Sequence, residues 1–328
     1  MIGRRAFITL LGGAATWPLA ARAQKAAMPV VGFINAGAAD TSARRVAAFR
    51  KGLSGACYAE GQNVLVEYHW LEGDYERLPA VVADLVQRRV AVIATPGSQP
   101  ATLAAKAATA MIPIVFGVGE DPVKLGLVAS LARPGGNATG INIFNAEVTA
   151  KRLGLLHELV PKSVRVAVLI NPANASIAET TVREVEEAAR ATGLQVQTFN
   201  ASTNREIEAT FAGFVRDRAD VLFVAPDANF VSRRVQIVTL ATHYAIPASY
   251  HSREFVEVGG LMSYGTDSLD MFRQVGVYTG QILKGAKPSD LPVQQSTKFE
   301  FVINLQTARL LGIEVPPSLQ LLADEVIE

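Results

Sequence analysis

The chain has 328 residues, 49% hydrophobic and 19% charged, with a formal net charge of +1. That length suits two domains and the composition suits a globular α/β protein with filled cores. Near-neutrality gives no global electrostatic case for nucleic acid or an anionic membrane, and a single cysteine, Cys57, excludes an internal disulfide and any multi-cysteine metal site.

The N-terminus has the pattern of a targeting segment. Arg4-Arg5 precedes an apolar run from Ala6 to Ala15, and Ala21-Arg22-Ala23 supplies an A-x-A-like cleavage site before Gln24. The run is too short to span a bilayer in place. Residues 1–23 are therefore expected to be an export signal peptide, and the periplasm is the expected location. Arg4-Arg5-Ala6-Phe7 is similar to a twin-arginine signal, with Sec export as the alternative. No cysteine stands at the cleavage point, which argues against a lipid anchor and for a soluble product without membrane insertion. Cleavage removes three arginines (Arg4, Arg5 and Arg22) and no acid, leaving a formal charge of −2.

From Met28 onward, strand and helix patterns alternate. Val30 to Ile34 is a buried first strand, followed by a small-residue turn from Asn35 to Thr41. A helix then runs to about Leu53, with Val46, Phe49 and Leu53 on one face. Val64 to His69 alternates as a strand, and Tyr75, Leu78, Val82, Leu85 and Val86 form the stripe of a second helix. Val90 to Ala94 is apolar throughout, as a parallel strand buried on both faces would be. An alanine-rich helix from Ala101 to Thr109 and a strand from Pro113 to Phe116 follow.

The second half repeats this order. Val164 to Ile170 is a strand ending in Asn171, as the first strand ends in Asn35. Glu179 to Ala191 is a helix closed by Gly193. Val196 to Phe199, the stripe Ile207, Phe211, Phe214 and Val215, the strand Val221 to Val224, the helix Arg233 to His243 and the strand Pro247 to Tyr250 complete the parallel. An offset of about 130 residues is far longer than a solenoid period and implies duplicated domains. The seam falls near Gly135–Ile141, where helical pattern is lost. Leu261 to Tyr264 is expected to be a strand returning toward the first lobe, and the helix from Leu269 to Leu283 to pack on that lobe. Lys287 to Pro292 is a surface linker, and Phe299 to Ile303 a final strand. The expected architecture is α/β, with two similar doubly wound parallel-sheet lobes joined by a hinge. Residues 28–143 plus about 265–290 would form the N-terminal lobe, and 144–264 plus about 295–328 the C-terminal one.

Enzyme signatures fail. There is no G-x-x-x-x-G-K-[ST], the glycines of Gly32-Phe-Ile-Asn-Ala-Gly37 are wrongly spaced for a dinucleotide turn, and Ser98 lies outside any G-x-S-x-G. The histidines (His69, His157, His243 and His251) show no i, i+4 pairing, so no zinc site and no cofactor is expected. What remains is small and amide residues where strands end. In open α/β sheets ligands are held just past the strands' carboxyl ends. The candidate ligand-binding residues are Asn35, Thr95, Gly97, Ser98 and Asp121 from the first half. Asn171, Asn174, Ser176, Asp227, Asn229, Ser249 and Tyr250 come from the second. Helix starts at Ser98 and Asn229 would offer free N–H groups to a carboxylate, and Asp227 and Asp121 could accept from an ammonium. The competing reading is that these residues only cap helices. Tyr250 and Phe230 are candidates to stack on a ligand, with core packing the alternative for Phe230.

The exported start, Gly61-Gln-Asn-Val64, Ile114-Val-Phe-Gly-Val-Gly-Glu-Asp-Pro122, Pro134-Gly-Gly-Asn-Ala-Thr-Gly140 and Val224-Ala-Pro-Asp-Ala-Asn229 share an order and spacing. Together they resemble the ABC-transporter substrate-binding family that includes tryptophan/tyrosine-binding proteins, from about Pro29 to Gly312. The resemblance implies a type I periplasmic-binding-protein fold, closure of two lobes on a small-molecule ligand, and delivery to an ABC permease and its ATPase. It also implies that the turns at Thr95–Ser98, Asn171–Ser176 and Asp227–Asn229 border the ligand. Asp227-Ala-Asn229 departs from the Thr-Asp-Asn of the amino-acid binders, and Gly97 stands where they carry a bulkier residue, which leaves the ligand open. The expected function is a periplasmic receptor, monomeric and not an enzyme. It would capture a small organic compound, an amino acid or aromatic among the options. A ligand-sensing subunit of a signalling system, or a cleft enzyme, are the alternatives.

Overall fold

The computed structural model describes residues 28–143, 146–296 and 298–328, so the expected signal peptide lies outside the described residues. The first α/β run comprises β1 (Val30–Asn35), α1 (Ala43–Gly55), β2 (Leu65–Trp70) and a 3-10 turn at Tyr75–Arg77 leading into α2 (Leu78–Gln87). It continues through β3 (Val92–Pro96), α3 (Gln99–Ala108), β4 (Ile114–Val118) and β5 (Ala138–Asn142). The second run opens with α4 (Ala146–Leu159), β6 (Arg165–Ile170), α5 (Ala175–Thr192), β7 (Gln195–Asn200) and α6 (Asn204–Arg216). There follow β8 (Val221–Val224), α7 (Ala228–Ser232), α8 (Arg234–His243), β9 (Ala248–Tyr250), α9 (Arg253–Val256) and β10 (Met262–Thr266). The chain ends through α10 (Ser268–Leu283), β11 (Gln294–Gln295), β12 (Phe299–Asn304), α11 (Leu305–Leu310), α12 (Pro317–Leu322) and β13 (Glu325–Ile327).

Two sheets result. The first is ordered β11-β5-β4-β3-β1-β2 and the second β13-β12-β10-β9-β8-β6-β7. The run β2-β1-β3-β4-β5 in one matches β7-β6-β8-β9-β10 in the other, so the sequence offset corresponds to a repeated topology. All pairings are parallel except β10 with β12. The central strands β3 and β4 are buried along their whole length because helices cover both faces. Successive side chains point to opposite faces. Thus Val92 and Val115 pack with α1 and α10 residues such as Phe49 and Phe272, while Ile93 and Ile114 pack with α2 and α3 residues such as Leu85 and Ala105. The second sheet is sandwiched in the same way.

Local signals explain the helix ends. Gly193 closes α5 at φ 72°, and Thr203 with Glu206 forms a reciprocal capping box at the start of α6. Two expectations need correction. The glycine-rich seam near Gly135–Ile141 contains β5, a full strand of the first sheet paired with β4. The strand expected to return toward the first lobe, β10, instead lies inside the second sheet between β9 and β12. It is the next element, α10, that crosses over and packs on α1. That packing is close at two glycines. A Cβ on Gly52 would fall 2.0 Å from the Arg273 carbonyl oxygen, and one on Gly276 would fall 2.1 Å from that of Phe49. The chain passes between the sheets three times, after β5, β10 and β11, which is the arrangement of a hinge.

A cavity between the lobes as candidate ligand site

The strand ends of both sheets meet around a cavity of about 110 Å³. One water needs at least roughly 10–15 Å³ on such a measure, so there is room for a compact organic molecule. The first lobe contributes Asn35 at the end of β1, the stretch Gly97–Pro100 beyond β3, Gly117–Gly119 at the end of β4, and Arg45 and Tyr75. From the second come Asn174, Asp227, His251 and, on α4, Arg152; the crossing after β10 adds Met271 and Phe272.

Cross-lobe bonds close the space. The Ala38 N–H donates to Ser232 Oγ at 3.0 Å. Gln99 Nε2 donates to Ser176 Oγ at 3.0 Å, and that hydroxyl is bonded to the Glu120 carboxylate at 2.9 and 3.0 Å. Arg45 pairs with Glu254 at 3.0 Å, with both side chains nearly buried, and Arg44 reaches Glu257 at 2.7 Å. Burial lowers the Arg45 pKa and the Glu254 partner offsets part of that.

Asp227 is the hub of the second-lobe wall. Its Oδ1 accepts from Asn171 Nδ2 (3.1 Å) and from the backbone N–H groups of Asn229 (3.0 Å) and Phe230 (3.3 Å). Its Oδ2 accepts from Asn174 Nδ2 at 3.0 Å and, across the cleft, from Tyr75 OH at 3.5 Å. Burial pushes its carboxyl above the ordinary range, against the pull of these donors. On the facing turn, the Ser98 hydroxyl and Gln99 Oε1 are buried with no partner, as is Asn174 Oδ1 on the Asp227 wall itself. His251 has a buried Nδ1 with no partner; burial, with Arg152 and Arg45 nearby, holds its pKa well below 6.5. It is a neutral imidazole at pH 7.

Of the twelve residues expected at the site, Asn35, Gly97, Ser98, Asn174 and Asp227 line the cavity. Asn35 is anchored at both ends of its amide: Nδ2 donates to the Pro96 carbonyl at 2.7 Å, which ties β1 to β3, and Oδ1 accepts from Gly37 N at 2.8 Å. Gly97 turns the chain at φ 70°. Asn171 and Asn229 stand behind the wall, holding Asp227 and the Ser202 loop. Thr95 points inward, its hydroxyl 2.8 Å from that of Thr102, and Ser176 is the cross-lobe link at the rim. The exposed Asp121 only caps its own turn, through Val123 N. Ser249 is buried and does not line the cavity. Tyr250 is a correction: its ring is buried in the second-lobe core, stacked on Phe255 at 4.5 Å, and cannot stack on a ligand there. Phe230 is core as well.

Sequence reading missed Arg45, Tyr75, Arg152, His251 and Phe272. One signal was available for Arg152. Val148, Leu155, Leu156 and Leu159 recur at helical spacing on α4, and Arg152 stands in that buried stripe where an apolar residue belongs. Among the described residues no group of three or more His, Cys, Asp or Glu could hold a metal ion.

The family model for ABC transporter substrate binding proteins matches residues 30–327. The chain belongs to this family. Its two parallel-sheet lobes are those of type I periplasmic binding proteins, as the motif resemblance implied. The tyrosine-binding protein of Clostridioides difficile (strain R20291) is 27% identical over 269 residues, 81% of this chain and 76% of that protein. An ABC domain from Streptococcus pneumoniae in complex with L-Trp is 28% identical, with a TM-score of 0.81 over 91% of this chain and 99% of that one. The ligand-free, open structure of a substrate binding protein with adhesive properties from Clostridium difficile is 24% identical, with a TM-score of 0.62 over 92% and 99%.

Proposed function

We propose that this chain is the exported binding component of an ABC importer. It takes a small organic molecule of amino-acid type into the interlobe cavity and hands it to a membrane permease powered by an ATPase. The observation that carries this reading is a cavity walled by both lobes and closed by bonds between them. A ligand filling it touches both walls only when the lobes are shut, so it binds the shut state better and shifts the population toward it. Tyr75, Met271 and Phe272 offer an apolar surface to the ligand's body, while idle polar atoms of Ser98, Gln99 and Asn174 await its polar groups. The ligands named for the relatives, tyrosine and L-Trp, set the first class to test. The receptor acts as a monomer in the periplasm, and no helix among the described residues is long and apolar enough to cross a membrane.

Thermal melting against amino acids, aromatic acids and nucleosides tests the reading. A ligand at a hundred times its Kd adds about 2.7 kcal/mol and raises the melting point. The expected result is a shift with an aromatic amino acid or related compound that mass spectrometry recovers unchanged after denaturation. Recovery of a chemically altered compound would point to an enzyme instead. Within this reading, Asp227→Ala weakens binding of a cationic or zwitterionic ligand tenfold or more. An unchanged affinity by calorimetry would remove Asp227 from ligand contact.

A further inference from the structure

Two arginines reach the cavity, and they are placed differently. Arg45 has its own acid, Glu254, at 3.0 Å. Arg152 is buried to 1% exposure and forms no ion pair among the described residues. Its guanidinium carbon sits 3.6 Å from the ring centroid of Phe223, Nη2 donates to the Val224 carbonyl at 2.8 Å, and Nε has no partner. The ring and the carbonyl fix the side chain in place but supply no negative charge. The acid acting on it from a distance, Glu184, is half-buried and bonded to Thr149. Asp227, the acid of the cavity wall, has three donors on Oδ1 and Asn174 on Oδ2. A buried guanidinium has five donors in a planar fork suited to a carboxylate, and it is costly to leave such a charge unanswered. Burial lowers its pKa to about 9, which still leaves it charged at pH 7.

We infer that Arg152 is the counter-ion of the ligand, so that the cavity takes an organic acid whose carboxylate accepts from this guanidinium. The inference rests on the interlobe cavity being the ligand site. It narrows the ligand class: aromatic amino acids and simple aromatic acids meet the requirement, and neutral amides, nucleosides and polyols do not. The neutral His251 beside it adds no competing charge, and the apolar ring of Phe223 keeps water from one face of the guanidinium.

The test pairs acids with their amides on the mature chain: L-tryptophan with L-tryptophanamide, and indole-3-acetate with indole-3-acetamide. Uridine and myo-inositol serve as uncharged probes, with melting shifts followed by calorimetry. The expected result is that at least one acid binds, its amide binds tenfold or more weaker, and uncharged probes give no shift. Arg152→Gln should abolish the acid's advantage over its amide, and Arg152→Lys should restore part of it. If Arg152→Gln does not fold, the wild-type acid and amide pair and Arg152→Lys still decide. Equal affinity for acid and amide, tight binding of an uncharged probe alone, or an acid preference surviving in Arg152→Gln overturns the inference while leaving the receptor reading intact. No binding by any probe in the wild type overturns both.

Discussion

Asp227 shows how one side chain can organise a wall. Its carboxylate caps α7 and holds two asparagine amides in fixed orientation, so that Asn174 Oδ1 faces away, unpaired. Losing it removes a cap and strands buried donors. Asp227→Ala is expected to lower ligand-free stability by about 2 kcal/mol or more in denaturant unfolding. A change within a few tenths would mean that the hub does not form. His251 gives a pH dependence. Unfolded, its imidazole takes up a proton near 6.5; folded, it does so only well below. Between those values the unfolded chain binds more protons, so the stability this group contributes is complete above about 6.5 and is lost as pH falls through that interval. The melting point of His251→Gln should therefore fall less than that of the wild type between pH 7 and 5.5. Parallel curves would contradict the assignment. At this scale the sequence was only half legible. Small polar residues at strand ends marked Asn35, Ser98, Asn174 and Asp227. The chemistry of Arg152 and His251 depends on which helix or strand end tertiary packing brings to the cleft, which local pattern does not encode.

Elements were far more legible than side chains, because hydrophobic periodicity is local. The strands apolar on both faces and the striped helices form where the pattern puts them. The exceptions are instructive. In the β5 segment Ala-Thr-Gly-Ile-Asn the sequence shows only that helical pattern is lost, because glycine is poor in strands, yet a Cβ on Gly140 would lie 2.1 Å from the Phe116 carbonyl oxygen on neighbouring β4. The glycine answers to a partner strand that is invisible from the segment alone. For β10, the pattern revealed a strand but not which sheet takes it. The α1–α10 contact makes the same point energetically. Gly276→Ala should cost about 1–3 kcal/mol by overpacking against the Phe49 backbone. Gly55→Ala, with nothing within 4 Å, is the control and should be neutral or slightly stabilising. Equal effects of the two substitutions on the urea midpoint would argue against the close crossing.

At the scale of the whole molecule, the duplication was readable from one number, the offset of about 130 residues between halves, and the two sheets carry the same strand order over five strands. What no offset encodes is how far the lobes are shut. That depends on a few contacts between distant segments, among them Arg45 with Glu254 and the chain from Gln99 through Ser176 to Glu120. Glu254→Gln should leave Arg45 buried without its counter-charge, favour the open state and weaken ligand binding several-fold by calorimetry. An unchanged affinity would show that this pair does not hold the lobes together. The claim beneath all of these is that ligand and closure are one equilibrium. Small-angle X-ray scattering of the mature chain, with and without the tightest acid found by melting, tests it most directly. The expected result is a smaller radius of gyration with ligand that reverts on dialysis. Identical scattering curves, with binding confirmed in the same samples, would contradict it.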